Sequence, residues 1–220
     1  GAIHDITPIR ETASLTNPFT TNGTTTVSVN DAAHGASVGD FVTFDSFSTL
    51  DGLDMNQEFE ITSVTDASNY KVTHTSTASG STSGGGGSGN AKYKISTGPA
   101  TSTYGYGWGT LSWGESTWDT ARSSSNVVVA ARNWSLDNFG EDLIATALNN
   151  KTFIWDTSSG TGTRATALSN APTASRFSLV STDTRHLLIF GTETTIGDST
   201  TQDDLLLRFS DREDATDYTP

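Results

Sequence analysis

Short β-type runs separated by turn residues recur along this chain and limit the folds it can adopt. No stretch of about twelve residues or more repeats apolar residues at the three-and-four spacing of an amphipathic helix. The runs are bounded by Gly, Asn, Asp or Ser, as strands usually are. They are Thr24–Val29, Phe41–Phe44, Phe59–Val64, Tyr70–Thr73, Tyr93–Ile95, Val127–Ala131, Leu143–Thr146, Thr152–Trp155, Phe177–Val180, Leu187–Phe190 and Leu205–Phe209. The sequence therefore predicts an all-β fold.

The composition supports this prediction. Hydrophobic residues make up 33% of the 220 residues and charged residues 17%, and 21 glycines are present. Ser, Thr, Asn and Asp are also abundant, and they are typical of turns and exposed strand faces.

The first half of the chain divides into two predicted regions. Residues 1–20 are an extended N-terminal arm, which we expect to add to a sheet of its own body or of a neighbour. Residues 21–98 are a small β-barrel or sandwich module. Within it, Ser76–Asn90 contains Gly84–Gly87, and this composition predicts a flexible loop that cannot pack a core.

Residues 99–220 begin with a Trp/Gly-rich segment and continue with two hairpin patterns. The hairpins, Glu141–Asp156 and Arg185–Asp211, start about 44 residues apart, which is the period of a propeller blade. We therefore predict propeller-like β hairpins. Two blades cannot close a propeller, which typically has ~4–8. We expect the polypeptide to continue beyond the given chain, or partner chains to complete the sheet.

Charge and cysteine content exclude several classes of function. The formal net charge is −13, and an acidic surface repels phosphate, so a protein that coats nucleic acid is disfavoured. There are no cysteines, which excludes disulfides, thiolate metal sites and cysteine nucleophiles. No apolar run approaches the ~18 residues of a membrane helix, so we predict no membrane insertion.

Polar residues do not suggest a catalytic site or a metal site. The histidines are scattered, at His4, His34, His74 and His186. We interpret His34 as a turn residue whose ring bonds local backbone. Asp51–Glu58 superficially suggests Ca²⁺ but lacks the spacing of an EF-hand, so a polar loop between strands is favoured.

An acidic stretch and a glycine run also do not suggest a catalytic site or a ligand site. Asp211–Asp214 with Asp217 is interpreted as surface charge neutralised by Arg212. Gly84–Gly87 has no Lys-Ser/Thr after it and is not a phosphate loop. We predict no catalytic residue, no metal ligand and no cofactor, and hence a protein that is not an enzyme.

The most ambiguous feature is the aromatic segment that contains Trp108, Trp113 and Trp118. Exposed rings there could stack on sugars. The alternative is packing between sheets or subunits, where such a ring buries ~150–250 Å² and the interleaved glycines permit close approach. We favour packing.

Separated, collinear islands of sequence resemble the nozzle, or tail tubular protein B, of short-tailed bacteriophages and related tail-hub proteins. The resemblance covers most of the chain. The islands are Ile6–Thr12, Asn17–Phe19, His34–Phe44, Gly107–Gly109 with Trp113, Gly114 and Trp118, Asn133–Ala145, and Phe209–Pro220.

This resemblance implies a structural virion component assembled in the host cytoplasm and located in the tail. Such proteins form rings, most often of six copies, with propeller-like β domains around a DNA channel. The implied partners are further copies of the chain, the adaptor, the fibres and viral DNA passing through during ejection. One alternative is a receptor- or carbohydrate-binding tail protein that uses the tryptophans. A polysaccharide-degrading tailspike is a more distant one, since no convincing carboxylate pair is evident.

Overall fold

The computed structural model describes residues 1–97 and 133–218. These residues contain fourteen β-strands and two single-turn 3₁₀ helices, Thr157–Ser159 and Ser199–Thr201. The all-β prediction is confirmed. The predicted strand Val127–Ala131 lies outside the described residues. No helix in the described residues is both long enough and apolar enough to cross a membrane.

The first seven strands form one antiparallel sheet with the order β1-β7-β4-β5-β6-β3-β2. Their bounds are β1 Ile9–Thr16, β2 Phe19–Thr20, β3 Thr26–Asn30, β4 Phe41–Asp45, β5 Glu58–Asp66, β6 Asn69–Thr73 and β7 Ser88–Lys94. β5 joins two halves of the sheet, one formed by β1, β7 and β4 and the other by β6, β3 and β2. Phe59 of β5 pairs with β4, whereas Ile61 pairs with β6. A register shift between Ile61 and Ser63 lies within the β5–β6 ladder.

Alternating apolar residues of both halves meet in one core. Val42 and Phe44 from one half, and Tyr70 and Val72 from the other, belong to the same buried cluster. Because strand residues two apart share a face, this alternation directs every second side chain inward. The sheet is therefore folded over its own core.

Of the two predicted alternatives, barrel or sandwich, the barrel is wrong, since none of the described sheets closes. β1 and β2 lie at the two ends of the strand order. Between them Asn17 has a φ of 50°, and Pro18 has no N–H to donate to a ladder. These residues separate β1 from β2, but backbone bonds to the glycine loop continue past them, since the Asn17 N–H donates to Gly87 O at 2.7 Å and the Phe19 N–H to Gly85 O at 3.2 Å.

The N-terminal arm does add to a sheet, as expected. β1 pairs with β7 from Ile9 to Thr16, with Thr12 opposite Lys92. The sheet is that of the same chain.

The loop around Gly84–Gly87 differs from the prediction, because it is packed. A Cβ on Gly86 would lie 2.5 Å from Cδ2 of Phe19, and one on Gly85 would lie 2.5 Å from Cδ1 of Leu50. The Ser48 N–H donates to Gly86 O at 2.8 Å. The absence of side chains lets this backbone approach the core, so glycine permits packing here instead of preventing it.

The second half contains two further antiparallel sheets, with the orders β11-β10-β9-β8 and β12-β13-β14. Their strands are β8 Trp134–Phe139, β9 Asp142–Ala147, β10 Thr152–Trp155, β11 Thr166–Ala167, β12 Phe177–Val180, β13 Leu187–Phe190 and β14 Leu207–Phe209. Both predicted hairpins are present, as β9–β10 and β13–β14. The propeller-like arrangement stays a prediction.

The two sheets share a second core and are joined by side chains. Ile144 of β9, Val180 of β12 and Ile189 of β13 belong to one buried cluster. Between β8 and β12, the Val180 N–H donates to the Asp137 carboxylate at 2.7 Å. The buried faces of the two sheets therefore pack on each other, which leaves the opposite face of β12–β14 uncovered.

Candidate functional site

The uncovered face of the β12–β14 sheet is the most unusual surface of the described residues. Strand alternation directs Ser178, Val180, Leu187 and Ile189 inward, where all four are buried. The side chains at the alternate positions of the three strands point outward, and each of them is apolar. They are Phe177, Leu179, Leu188, Phe190, Leu207 and Phe209. We call this set the outer face.

Cross-strand register makes the outer face continuous. Phe177 pairs with Phe190, which pairs in turn with Leu207. Leu179 pairs with Leu188, which pairs with Phe209. Directly opposed residues of an antiparallel pair have Cβ atoms ~4.5–5.5 Å apart, so the face is a two-row apolar grid.

Exposure and ring geometry distinguish this face from a core. Phe209 is 63% exposed, although it occupies a regular strand position. The rings of Phe177 and Phe190 stack with centroids 4.4 Å apart and planes within 5°. No member of the outer face is charged, in a chain whose net charge is −13.

Polar side chains lie at both ends of the outer face. At one end, the Arg176 guanidinium donates to both oxygens of Asp204, at 2.7 and 3.0 Å. This guanidinium holds the pKa of the Asp204 carboxyl below its usual range. At the other end, the His186 ring lies edge-on to Phe209, with centroids 6.3 Å apart. The surface thus has an apolar centre and a polar rim, which is typical of protein–protein interfaces.

Two buried polar clusters were not predicted from the sequence. In the first core, the Tyr93 hydroxyl donates to Asp31 at 2.5 Å and lies 2.9 Å from the Tyr70 hydroxyl. In the second half, the Glu193 carboxylate accepts the Gly197 N–H at 2.6 Å, and it also accepts the Thr173 hydroxyl. Both clusters tie loops together around a buried carboxylate, Asp31 or Glu193, so we assign them to the fold.

The residues discussed in the sequence analysis are dispersed. The ring of His34 bonds backbone as expected, because Nδ1 accepts the Ala36 N–H at 3.0 Å. His74 repeats this arrangement with the Ser76 N–H. His186 Nδ1 lies 2.8 Å from Ser210 O.

The two acidic stretches are held by protein donors. Asp51 accepts hydrogen bonds from the hydroxyls of Thr21 and Thr82, so this loop ties neighbouring loops together. In the second stretch the pairing cation differs from the prediction, since Glu213 pairs with Arg185 at 3.5 Å. In residues 1–97 and 133–218, no three His, Asp or Glu side chains are grouped so that they could hold a metal ion.

The candidate aromatics Trp108, Trp113 and Trp118 lie outside the described residues. The outer face was missed, although a signal for it was present. Leu187–Phe190 is apolar at four consecutive positions, and such a strand is apolar on both faces. Phe177 with Leu179 and Leu207 with Phe209 repeat the outward half of this pattern.

Comparisons with known proteins give little similarity. No protein-family model matches the sequence, and no curated protein matches it. Among solved structures, a phage phi92 endosialidase matches with a TM-score of 0.35 and 13% sequence identity. The match covers 93% of this chain but only 32% of the endosialidase. At this TM-score the similarity assigns neither a fold family nor an activity.

Proposed function

We propose that this protein is a structural component of a bacteriophage tail, and that it acts by assembly with other chains and not by catalysis. The observation that carries the proposal is the outer face. The largest apolar patch on a typical monomer covers ~300–600 Å² and is often functional. A face of this kind on an acidic chain provides an uncharged surface where another subunit can pack without charge repulsion.

The finer proposal is a nozzle-type or tail-hub ring that joins tail parts and conducts DNA during ejection. It rests on the collinear sequence islands that resemble such proteins. The net charge of −13 supports it, since an acidic wall would let DNA pass without strong adhesion. The partners would be further copies of the chain, the adaptor and the fibres.

The experiment combines negative-stain imaging with light scattering of the purified chain. We expect rings for the unmodified protein and a shift towards monomers for Phe209→Ser, because the substitution removes an exposed apolar anchor without touching either core. Leu136→Ser is the matched control. Leu136 is 62% exposed, against 63% for Phe209, but it lies on β8, outside the outer face.

Each result decides part of the proposal. Monomers or slender fibres of the unmodified chain would contradict the ring. Rings that Phe209→Ser leaves intact would show that another surface carries assembly. If no ring forms, but glycan binding is found and lost in Trp108→Ala and Trp113→Ala, the receptor-binding alternative is favoured instead.

A further inference from the structure

The short segment Asp5–Pro8 contacts both halves of the chain through its backbone. The Ile95 N–H, directly after β7, donates to Pro8 O at 3.0 Å. The Ala165 N–H, directly before β11, donates to Ile6 O at 3.0 Å. One extended segment therefore binds a donor from the seven-stranded sheet and a donor from the four-stranded sheet. We call Asp5–Pro8 the strap.

Side chains reinforce the strap from both sides. The Asp5 carboxylate lies 2.6 Å from Lys94 Nζ on β7 and 2.7 Å from Arg164 Nη1 in the second half. Lys94 is buried and also pairs with Glu58 of β5. Arg164 donates in addition to the strap carbonyl of Thr7, at 3.2 Å. The Asp5 carboxylate is thus the one group of the described residues that joins a cation of each half.

The charges around the strap favour the ionised form of the Asp5 carboxyl. Partial burial raises the pKa of Asp5, but the Lys94 ammonium and the Thr7 N–H together hold it well below its usual range. Arg164 supplies a second positive charge on the same oxygen. At neutral pH the strap is therefore held by a carboxylate between two cations.

The strap lies outside both main cores. It lies beside a small apolar cluster of Ile95, Phe153 and Ala165, which neither core shares. Residues 1–4, which precede the strap, are exposed to solvent, and Ile3 is 99% exposed. Loss of the strap would thus open this junction without removing a residue from either core.

We propose that Asp5–Pro8 is an electrostatic lock that couples the seven-stranded sheet to the second half of the chain. When the Asp5 contacts are broken, the junction opens and each core remains folded. This inference rests on contacts within the chain and does not depend on the proposed function.

Hydrogen exchange of the full chain tests the lock directly, because the amides of Ile95 and Ala165 report whether the strap is in place. We expect Asp5→Asn to accelerate exchange at both amides by about five- to thirtyfold, the range that corresponds to one or two kcal/mol. The matched control is Asp45→Asn. Asp45 pairs with Lys92 on the same strand β7, but this contact stays within one sheet.

A second variant approaches the lock from the other half. Arg164→Gln removes the cation of the second half and is expected to accelerate the same two amides, so it also serves if Asp5→Asn fails to fold. Unchanged exchange at Ile95 and Ala165 in the two variants would overturn the proposal. Equal acceleration throughout both cores would overturn it as well, since that result means general destabilisation and not release of a lock.

Discussion

Gly86 shows how a single residue decides whether a loop can reach the core. Its φ is +100°, and a Cβ there would meet the ring of Phe19, which is fully buried. Both the backbone conformation and the space exclude a side chain. Sequence composition indicates only that glycines are concentrated here, and it does not show that the missing side chains make room for a particular ring.

We predict that Gly86→Ala destabilises the seven-stranded sheet by about 1–3 kcal/mol beyond the cost of the positive φ, because an added methyl group overpacks a close-packed core. Gly39→Ala is the control, since Gly39 has a φ of +90° but no atom within 4 Å of an added Cβ. Urea denaturation followed by circular dichroism measures both variants. Equal destabilisation of the two would assign the whole effect to backbone strain.

At the scale of elements, the strands that were predicted correctly have alternating or continuous apolar residues and clear turn boundaries. The pattern of β4 and β6 directs Val42 and Val72 inward without further information. β8 was missed because half of Trp134–Phe139 is polar, and because its position depends on side-chain hydrogen bonds to β12, which is distant in sequence. The candidate site was missed for a related reason, since consecutive apolar residues in a strand do not show which of its two faces stays uncovered.

The link between β8 and β12 replaces a backbone ladder with side chains. Asp137 accepts the N–H of Val180, and the Ser135 hydroxyl accepts the N–H of Ser178 at 2.9 Å. Both donor residues are buried. The two strands are therefore joined at an edge where β12 has no partner strand.

We predict that Asp137→Ala destabilises the second half by about 1–3 kcal/mol, because it leaves a buried N–H without an acceptor. Glu141→Ala removes one negative charge from the same hairpin at an exposed position, and it should change stability by less than about 0.5 kcal/mol. Tryptophan fluorescence during urea denaturation compares the two variants, because all five tryptophans lie between residues 108 and 155 and none lies in the seven-stranded sheet. If they lose the same stability, the effect is one of charge and not of the hydrogen bond.

For the whole molecule, pH acts on buried tyrosines as well as on the acidic surface. Tyr70 and Tyr93 are almost completely buried and share a hydrogen bond in the first core. Burial raises the pKa of both hydroxyls, and the negative charge of Asp31 raises them further. The unfolded chain releases these protons near the ordinary value of 10.0, whereas the folded chain keeps them.

Because the folded pKa values lie above the unfolded ones, this contribution to stability is complete below about pH 10 and is lost as the pH rises further. We predict that the free energy of unfolding falls above that pH, by up to about 1.4 kcal/mol per pH unit for each tyrosine. Urea midpoints from pH 8 to pH 11, with tyrosine absorbance at 295 nm, measure both the loss and the ionisation. Tyr70→Phe should flatten the dependence, because it removes one of the two protons. If these tyrosines ionised near pH 10 in a chain that stays folded, the hydroxyls would be open to solvent, and the first core could not be the sealed cluster that the seven-stranded sheet encloses.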